Sequence, residues 1–275
     1  MTEPVIAAGP RSSAAALDAA KAAGRAALVA YLPIGFPDVP TSIAAARAAV
    51  EGGADVLELG MPYSDPLMDG PVIQHAVDAA LRGGTRTADV LRAIEELSSG
   101  GATALVMTYW NLVDRYGVDA FAKDLAAAGG AGLITPDLIP DEAGDWIAAS
   151  DAHGLERVFL VAPSSTPARL ASTSAACRGW VYAASLMGVT GVKAVSAGAR
   201  GLVERTRAAG AERVCVGLGV STPAQAAEVA EYADGVIVGS AFVKALAEAP
   251  SPAEGFDAVR ELARALAAAC AGGSG

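Results

Sequence analysis

Histidine and cysteine are scarce in this chain of 275 residues, which holds two histidines and three cysteines. The histidines, His75 and His153, are too few for a histidine-based metal site. The cysteines, Cys177, Cys215 and Cys270, are odd in number and show no CxxC spacing, so neither a disulfide set nor a zinc site is expected. We therefore expect no bound metal, and we expect the three cysteines to be free thiols in a protein of a reducing compartment.

Long apolar runs and excess positive charge are also missing. No stretch of about 18 uncharged apolar residues occurs, which argues against a membrane-spanning helix. The beginning of the chain lacks a basic segment followed by a long apolar core, so no signal peptide is expected. The formal net charge of -10 argues against a general nucleic-acid binder. These absences predict a soluble cytoplasmic enzyme in which backbone amides must bind any phosphate.

Short apolar runs rich in leucine and β-branched residues recur along the chain, separated by Ala-rich amphipathic segments. Eight such runs are expected, at residues 26–32, 54–60, 102–108, 131–137, 156–163, 179–185, 212–219 and 234–240. Continuous apolar strands that alternate with helices are typical of a parallel sheet covered by helices. Eight units in this length favour a closed (βα)8 TIM barrel over an open Rossmann-like sheet, whose GxGxxG motif is missing after the first run.

The pattern also predicts particular helices. An extra helix is expected before the first strand, at residues 13–23, and another begins near Pro40 with Thr41 as its N-cap. A single helical stretch is expected up to about Ser99. Because no linker or break in composition occurs, we expect one domain over residues 1–275, in which residues 1–12 form a flexible tail.

One segment, residues 58–71, combines carboxylates with residues that prevent regular structure, and reads ELGMPYSDPLMDGP. Glu58 interrupts an apolar run, so it falls within a predicted buried strand, and Asp69 follows in a loop rich in proline and glycine. A carboxylate on a buried strand must be paired or must have a raised pKa. Two neighbouring carboxylates suit general acid and base catalysis. The alternatives are a salt-bridged Glu58, a turn-forming Asp69, or a magnesium site.

Polar and glycine residues follow the apolar runs, where the functional end of a barrel lies. Three glycine-rich segments, residues 188–191, 217–221 and 238–241, come after the last three runs. Glycine turns and helix N-termini offer backbone N–H groups that bind phosphate without a cationic side chain. The three segments together predict a phosphate site.

Segments along almost the whole chain resemble the α subunit family of tryptophan synthase: ELGMPYSDPLMDGPVIQ, YLPIGFPD, MTYWN, ITPDLIPDEA, YAASLMGVTG, GLGVSTPAQ and DGVIVGSAFV. The resemblance implies a retro-aldol cleavage of indole-3-glycerol phosphate to indole and glyceraldehyde-3-phosphate. It implies that Glu58 handles the substrate's C3 proton and side-chain hydroxyl, and that Asp69 pairs with the indole N–H. It also implies no cofactor in this chain, and a pyridoxal-phosphate β subunit that receives indole within an α2β2 tetramer.

The same resemblance implies the remaining site residues. The residues expected around the substrate are Tyr182 beside Glu58, Tyr109, Leu133 and Ile73 as indole-pocket walls, Thr190 on a mobile loop, and Gly191, Gly219, Gly239 and Ser240 at the phosphate. The residues expected at the partner interface are Pro62, Asp65 and Pro66. Since the loop must order around Asp69, we expect low activity from the chain alone.

A second class of function stays open: a phosphate-binding barrel without this activity, either a phosphosugar isomerase or a silent activator of a partner enzyme. The pair of Glu58 and Asp69 favours the lyase, because a silent relative has no reason to place an acid on a core strand. No lysine stands at a predicted strand end, where an aldolase imine would be expected.

Overall fold

The computed structural model describes residues 11–66, 68–184, 195–217 and 219–272, and only the backbone at residues 195–197. Within these residues eight parallel strands pair in chain order, and the first pairs with the eighth to close a barrel. The strands are β1 Ala27–Pro33, β2 Val56–Gly60, β3 Ala104–Met107, β4 Gly132–Thr135, β5 Glu156–Val161, β6 Val181–Ala184, β7 Val214–Gly217 and β8 Gly235–Val238. The predicted TIM barrel is confirmed.

Helices connect the strands and cover the outside of the barrel. In the described part of the chain they are α1 Ser13–Ala22, α2 Val39–Glu51, α3 Pro71–Arg82, α4 Thr87–Ser99, α5 Trp110–Tyr116, α6 Val118–Ala127, α7 Gly144–His153, α8 Pro167–Ala176, α9 Val195–Ala208, α10 Pro223–Ala230, α11 Ser240–Ala247 and α12 Pro252–Ala271. Helix α1 precedes β1, as predicted. None of the described helices is long and apolar enough to cross a membrane.

Two helix boundaries differ from the prediction. The stretch up to Ser99 is two helices, because Gly83 caps the end of α3 and Gly84 adopts a positive φ of 83°. Thr41 is not the N-cap of α2: Asp38 is, and its carboxylate accepts the Thr41 N–H at 2.7 Å and the Thr41 hydroxyl at 2.9 Å. The threonine therefore stands inside the first turn, next to a stronger capping acceptor.

Each strand is buried on both faces, which explains why the runs are continuously apolar. Side chains alternate between the two faces of a strand. An inner cluster includes Val29, Val56 and Leu105, while their neighbours Leu28 and Leu57 belong to the outer cluster under the helices. The position of a residue within its strand thus decides whether it faces the barrel interior.

Helix α1 closes the N-terminal end of the barrel. Leu17 and Ala20 of this helix belong to the inner cluster. The buried Glu156 carboxylate of β5 accepts the backbone N–H groups of Ser13 and Ala14, each at 3.1 Å, and the hydroxyl of Ser12 at 2.8 Å. It also accepts the Ser13 hydroxyl. The carboxylate thereby satisfies N–H groups of the first turn of α1 and favours its positive dipole end.

Part of the predicted flexible tail lies outside the described residues, namely residues 1–10. The remainder is attached to the barrel, because Ser12 is the N-cap of α1 and accepts the Ala15 N–H at 3.1 Å. The single-domain assignment for residues 1–275 stays a prediction.

We predict that Glu156→Ala lowers the free energy of unfolding by about 3 kcal/mol, because it leaves the two buried donors of Ser13 and the partly buried donors of Ser12 and Ala14 without this acceptor. Urea unfolding measures the loss. Glu261→Ala is the matched control: this glutamate is exposed on α12, so its loss should change stability by less than about 0.5 kcal/mol. Equal effects of the two substitutions would contradict the assigned role of Glu156.

Candidate active site

Strand β2 places Glu58 on the inner face of the barrel. Its neighbours in register are Tyr31 on β1 and Leu105 on β3. Glu58 is 1% exposed, and within the described residues its Oε2 atom has no hydrogen-bond partner. A buried carboxyl oxygen without a donor is costly when it is ionised, so the site favours the protonated form.

The electrostatic surroundings of Glu58 agree with its geometry. Burial raises the pKa of Glu58 from 4.5 to about 8, and the nearby negative charge of Asp69 adds to the increase. At neutral pH the carboxyl group therefore holds a proton. A protonated acid inside a barrel wall is suited to donate that proton to a bound substrate.

Asp69 lies on the loop between β2 and α3. The Gln74 side chain donates to the Asp69 carbonyl oxygen at 2.8 Å, and the preceding Met68 N–H donates to the Tyr109 hydroxyl at 3.0 Å. Asp69 is half-buried, and burial raises its pKa from the ordinary value of 3.8. These two bonds hold the second carboxyl group close enough to Glu58 to influence its titration.

Tyr109 lies at the start of α5, which is bonded to the loop after β4. It is 6% exposed and occupies the N-cap position of α5, and its ring centroid lies 5.0 Å from that of Tyr63, with the two ring planes tilted by 30°. The Asp137 carboxylate, after β4, accepts the Trp110 N–H at 2.9 and 3.1 Å. The loops after β2, β3 and β4 are therefore joined into one support for Asp69.

Two buried tyrosines complete the inner face near Glu58, and each requires a glycine on an adjacent strand. A β-carbon at Gly60 would lie 2.4 Å from the Tyr31 hydroxyl oxygen, and one at Gly217 would lie 2.2 Å from that of Tyr182. Tyr182 was predicted here, whereas Tyr31 was missed. The signal for Tyr31 was available, since it is the only aromatic residue of the first apolar run and stands two positions after the inward-facing Val29.

The predicted phosphate residues fall into two groups. Gly219 follows β7 with φ of 103°, and Gly239 and Ser240 begin α11 with no side-chain cap. The first N–H groups of α11 are thus free of a side-chain acceptor from the cap residue. Helix α10 differs, because its N-terminus is occupied by the Thr222 and Gln225 capping box. Thr190 and Gly191 lie outside the described residues.

The predicted walls of the indole pocket require one correction. Leu133 belongs to the outer cluster under the helices, and Ile134 belongs to the inner cluster. Alternation along β4 therefore gives the inward position to Ile134, and the prediction for Leu133 is wrong. Ile73 is half-buried on α3 against the outer cluster.

The predicted partner residues differ in accessibility. Pro62 is buried within the chain and offers little surface, while Asp65 is exposed and Pro66 is half-buried. Asp65 and Pro66 line an open surface cleft of about 600 Å³, which Tyr63 and His75 also border. Of the three predicted residues, Asp65 and Pro66 are therefore the ones that are accessible for a surface contact.

Other buried or half-buried acids have cations or several donors. Asp55 receives two bonds of 2.7 Å from Arg25, and Asp234 binds Arg207 at 2.7 Å. In the described part of the chain Glu58 and Asp69 have no such ion pair. Among the same residues, no three His, Cys, Asp or Glu side chains are grouped to hold a metal ion. Glu58 and Asp69 thus differ from Asp55 and Asp234, because no cation among the described residues neutralises them.

Comparison with known proteins gives consistent matches. A family model described as tryptophan synthase alpha chain matches residues 17–271. The tryptophan synthase alpha chain of Thermobifida fusca is 62% identical over 253 residues, covering 90% of this chain and 94% of that protein. A solved Mycobacterium tuberculosis tryptophan synthase has a TM-score of 0.88 at 59% identity, covering 95% of this chain and 98% of that chain. The subunit alpha from Legionella pneumophila has a TM-score of 0.85 at 30% identity, covering 94% and 98% respectively.

The raised pKa of Glu58 predicts a pH-dependent stability. Between its ordinary value of 4.5 and about 8 the folded protein holds a proton that the unfolded chain releases, so the free energy of unfolding falls as pH rises. Glu58→Gln removes this dependence, and its stability relative to the parent should increase by about 4 kcal/mol between pH 4.5 and pH 9. Urea unfolding at a series of pH values measures the difference.

The matched control is Glu95→Gln, which changes an exposed glutamate of α4 in the same way. Its stability should run parallel to that of the parent across the pH range. If the stability of Glu58→Gln showed the same pH dependence as that of the parent, Glu58 would not be the group that holds the proton.

Proposed function

The chain belongs to the tryptophan synthase alpha chain family, and we propose that Glu58 and Asp69 carry out the chemistry of that family at the barrel site. The reaction is the cleavage of indole-3-glycerol phosphate to indole and glyceraldehyde-3-phosphate, so the chain is a carbon–carbon lyase. The observation that supports the residue roles is a buried, protonated Glu58 beside a carboxyl group that no cation neutralises.

The first step is protonation of the substrate at C3 of the indole ring. Glu58 donates its proton to this carbon, which leaves a positive charge delocalised over C2 and the ring nitrogen. The Asp69 carboxylate accepts a hydrogen bond from the indole N–H group and stabilises that charge. The two carboxyl groups therefore need opposite protonation states at the start, with the proton on Glu58.

The second step breaks the C–C bond. The Glu58 carboxylate now removes the proton of the side-chain hydroxyl, and the new carbonyl forms as the bond to C3 breaks. The bonding electrons return to the ring and restore neutral indole. Glu58 ends the cycle protonated, as it began, and the other product is the aldehyde glyceraldehyde-3-phosphate.

The substrate's phosphate group would bind at the ends of β7 and β8. Gly219, Gly239 and Ser240 would present backbone N–H groups there, and α11 adds its positive dipole end. Gly239 lies beside Tyr31, since a β-carbon on it would be 3.1 Å from a carbon of that ring. The proposed phosphate position therefore adjoins Tyr31, the register neighbour of Glu58. Thr190 and Gly191 are proposed to complete the site by family resemblance.

The chain pairs with a β subunit, which carries pyridoxal phosphate, and needs no cofactor of its own. We expect an α2β2 assembly in which indole passes to the β subunit. Exposed Asp65 and half-buried Pro66 border the cleft described above, and we propose them as partner contacts. Pro62 would act by shaping the loop from inside the chain. A cytoplasmic location and a single domain over residues 1–275 are part of the same proposal.

We predict that Glu58→Gln and Asp69→Asn each lower kcat/KM for indole release by at least about 100-fold, because each removes a proton donor or acceptor of the reaction. In the parent, kcat/KM should fall above pH 8 as Glu58 loses its proton, and fall in acid as Asp69 gains one. Indole release from indole-3-glycerol phosphate is the measurement. Full activity in Glu58→Gln would contradict the proposed role of Glu58, whereas no indole release by the folded parent would leave only a phosphate-binding barrel.

We also predict that the β subunit raises indole release by the chain at least about tenfold, because the competent loop arrangement is sparsely populated without it. Asp65→Ala should weaken the complex by about tenfold, or about 1.4 kcal/mol, in calorimetric titration. The control is Glu96→Ala, an exposed glutamate near the end of α4 at the opposite end of the barrel. Equal affinities for the two variants would remove Asp65 from the interface.

A further inference from the structure

Gln74 bonds twice to the main chain that leads from Asp69 into α3. Its side-chain Nε2 atom donates to the Asp69 carbonyl oxygen at 2.8 Å, and its backbone N–H donates to the Gly70 carbonyl oxygen at 2.9 Å. Gly70 is the N-cap of α3 and offers no side-chain cap. The Gln74 side chain, rather than a cap residue, therefore ties the loop to the start of the helix.

The helix that carries Gln74 gives this bond a firm support. Ala76, Val77 and Ala80 of α3 are buried, whereas Gln74 itself is exposed. A side chain on a packed helix holds its hydrogen-bond partner more precisely than a side chain on a loop does. The position of the Asp69 carbonyl group is thus set by α3.

The same side chain also borders the surface cleft between α3 and the loop after β2, where we propose the partner contact. Gln74 lines this cleft from the helix, and Tyr63 lines it from the loop. The Tyr63 ring centroid lies 5.0 Å from that of Tyr109, whose hydroxyl accepts the Met68 N–H at 3.0 Å. The bonds that hold the loop on both sides of Asp69 are therefore each in contact with a wall of the cleft.

We propose that Gln74 is a positioning residue through which the β subunit, seated in this cleft, fixes the main chain of Asp69. The inference rests on the proposed function, because it takes Asp69 as a reacting acid and the cleft as a partner contact. A partner group in the cleft touches Gln74 directly and restricts its side chain. The Asp69 carbonyl group then stays in one place, and its carboxyl group keeps one direction toward the indole N–H.

The exposure of the Gln74 bond is what makes it responsive to a partner. A hydrogen bond between exposed neutral groups is weak, because water competes for both of them. A partner that covers the cleft excludes that water and strengthens the bond. The chain alone therefore holds Asp69 only part of the time, and the complex holds it more firmly.

The test is Gln74→Met, which keeps the length of the side chain and removes its donor. We expect kcat for indole release by the chain alone to fall about threefold with KM unchanged. Stimulation by saturating β subunit should also fall about threefold, because the partner no longer acts on Asp69 through this bond. A loss of folded protein would lower both rates equally and keep their ratio, so an unchanged ratio would overturn the proposal.

The matched control is Arg82→Met, which replaces a long exposed side chain in the last turn of the same helix. It breaks an exposed ion pair with Asp78, and such pairs contribute little to stability. Both the rate of the chain alone and its stimulation by the β subunit should match those of the parent.

A second readout separates this proposal from the proposed function, because it needs no substrate. Hydrogen exchange of residues 68–74, followed by mass spectrometry, is measured with and without saturating β subunit. We expect the β subunit to slow this exchange at least about threefold in the parent and in Arg82→Met, but not in Gln74→Met. Equal slowing in Gln74→Met, or none in the parent, would overturn the role of Gln74. The expected pattern in a parent that releases no indole would support Gln74 and count against the lyase reaction.

Discussion

The desolvation of a single carboxyl group, Glu58, is the constraint on which the rest of the site depends. The barrel wall removes this group from water, and no donor among the described residues replaces the lost hydration at Oε2. The proton is therefore retained near neutral pH. A protonated acid at this position creates a need for a second, ionised acid, and Asp69 is held nearby from three strand ends. Burying Glu58 lowers the stability of the fold above its ordinary pKa, and this loss follows from placing an acid inside the proposed active site.

The site is built from large residues that face small ones. Tyr31 and Tyr182 project into the barrel interior, and glycines at the ends of β2 and β7 leave the space that their hydroxyl groups occupy. Glycine at these strand ends is thus required by close approach of a neighbouring side chain. The same arrangement joins β1 to the turn after β8, where Gly239 meets the Tyr31 ring. Packing between strands therefore sets the distance between the acids and the proposed phosphate position.

The two ends of the barrel use carboxylates in opposite ways. At the N-terminal end Glu156 accepts the donors of α1, and Asp55 and Asp234 are neutralised by arginines. These acids are satisfied and contribute to stability. At the C-terminal end Glu58 and Asp69 lack ion pairs within the described residues, and their pKa values rise. The separation agrees with the general rule that barrel function lies at the C-terminal ends of the strands.

The sequence by itself determined the barrel, the strand that carries Glu58, and the loop that carries Asp69, because strand periodicity, glycine and proline act over a few residues. It did not decide which neighbour on a strand faces inward, so Ile134 was missed in favour of Leu133, and Tyr31 was taken as part of an apolar run. It also did not distinguish the self-capped α10 from the uncapped α11, or Asp38 from Thr41 as a cap. These choices depend on strand register and on contacts between distant segments, which exist only once the barrel has closed.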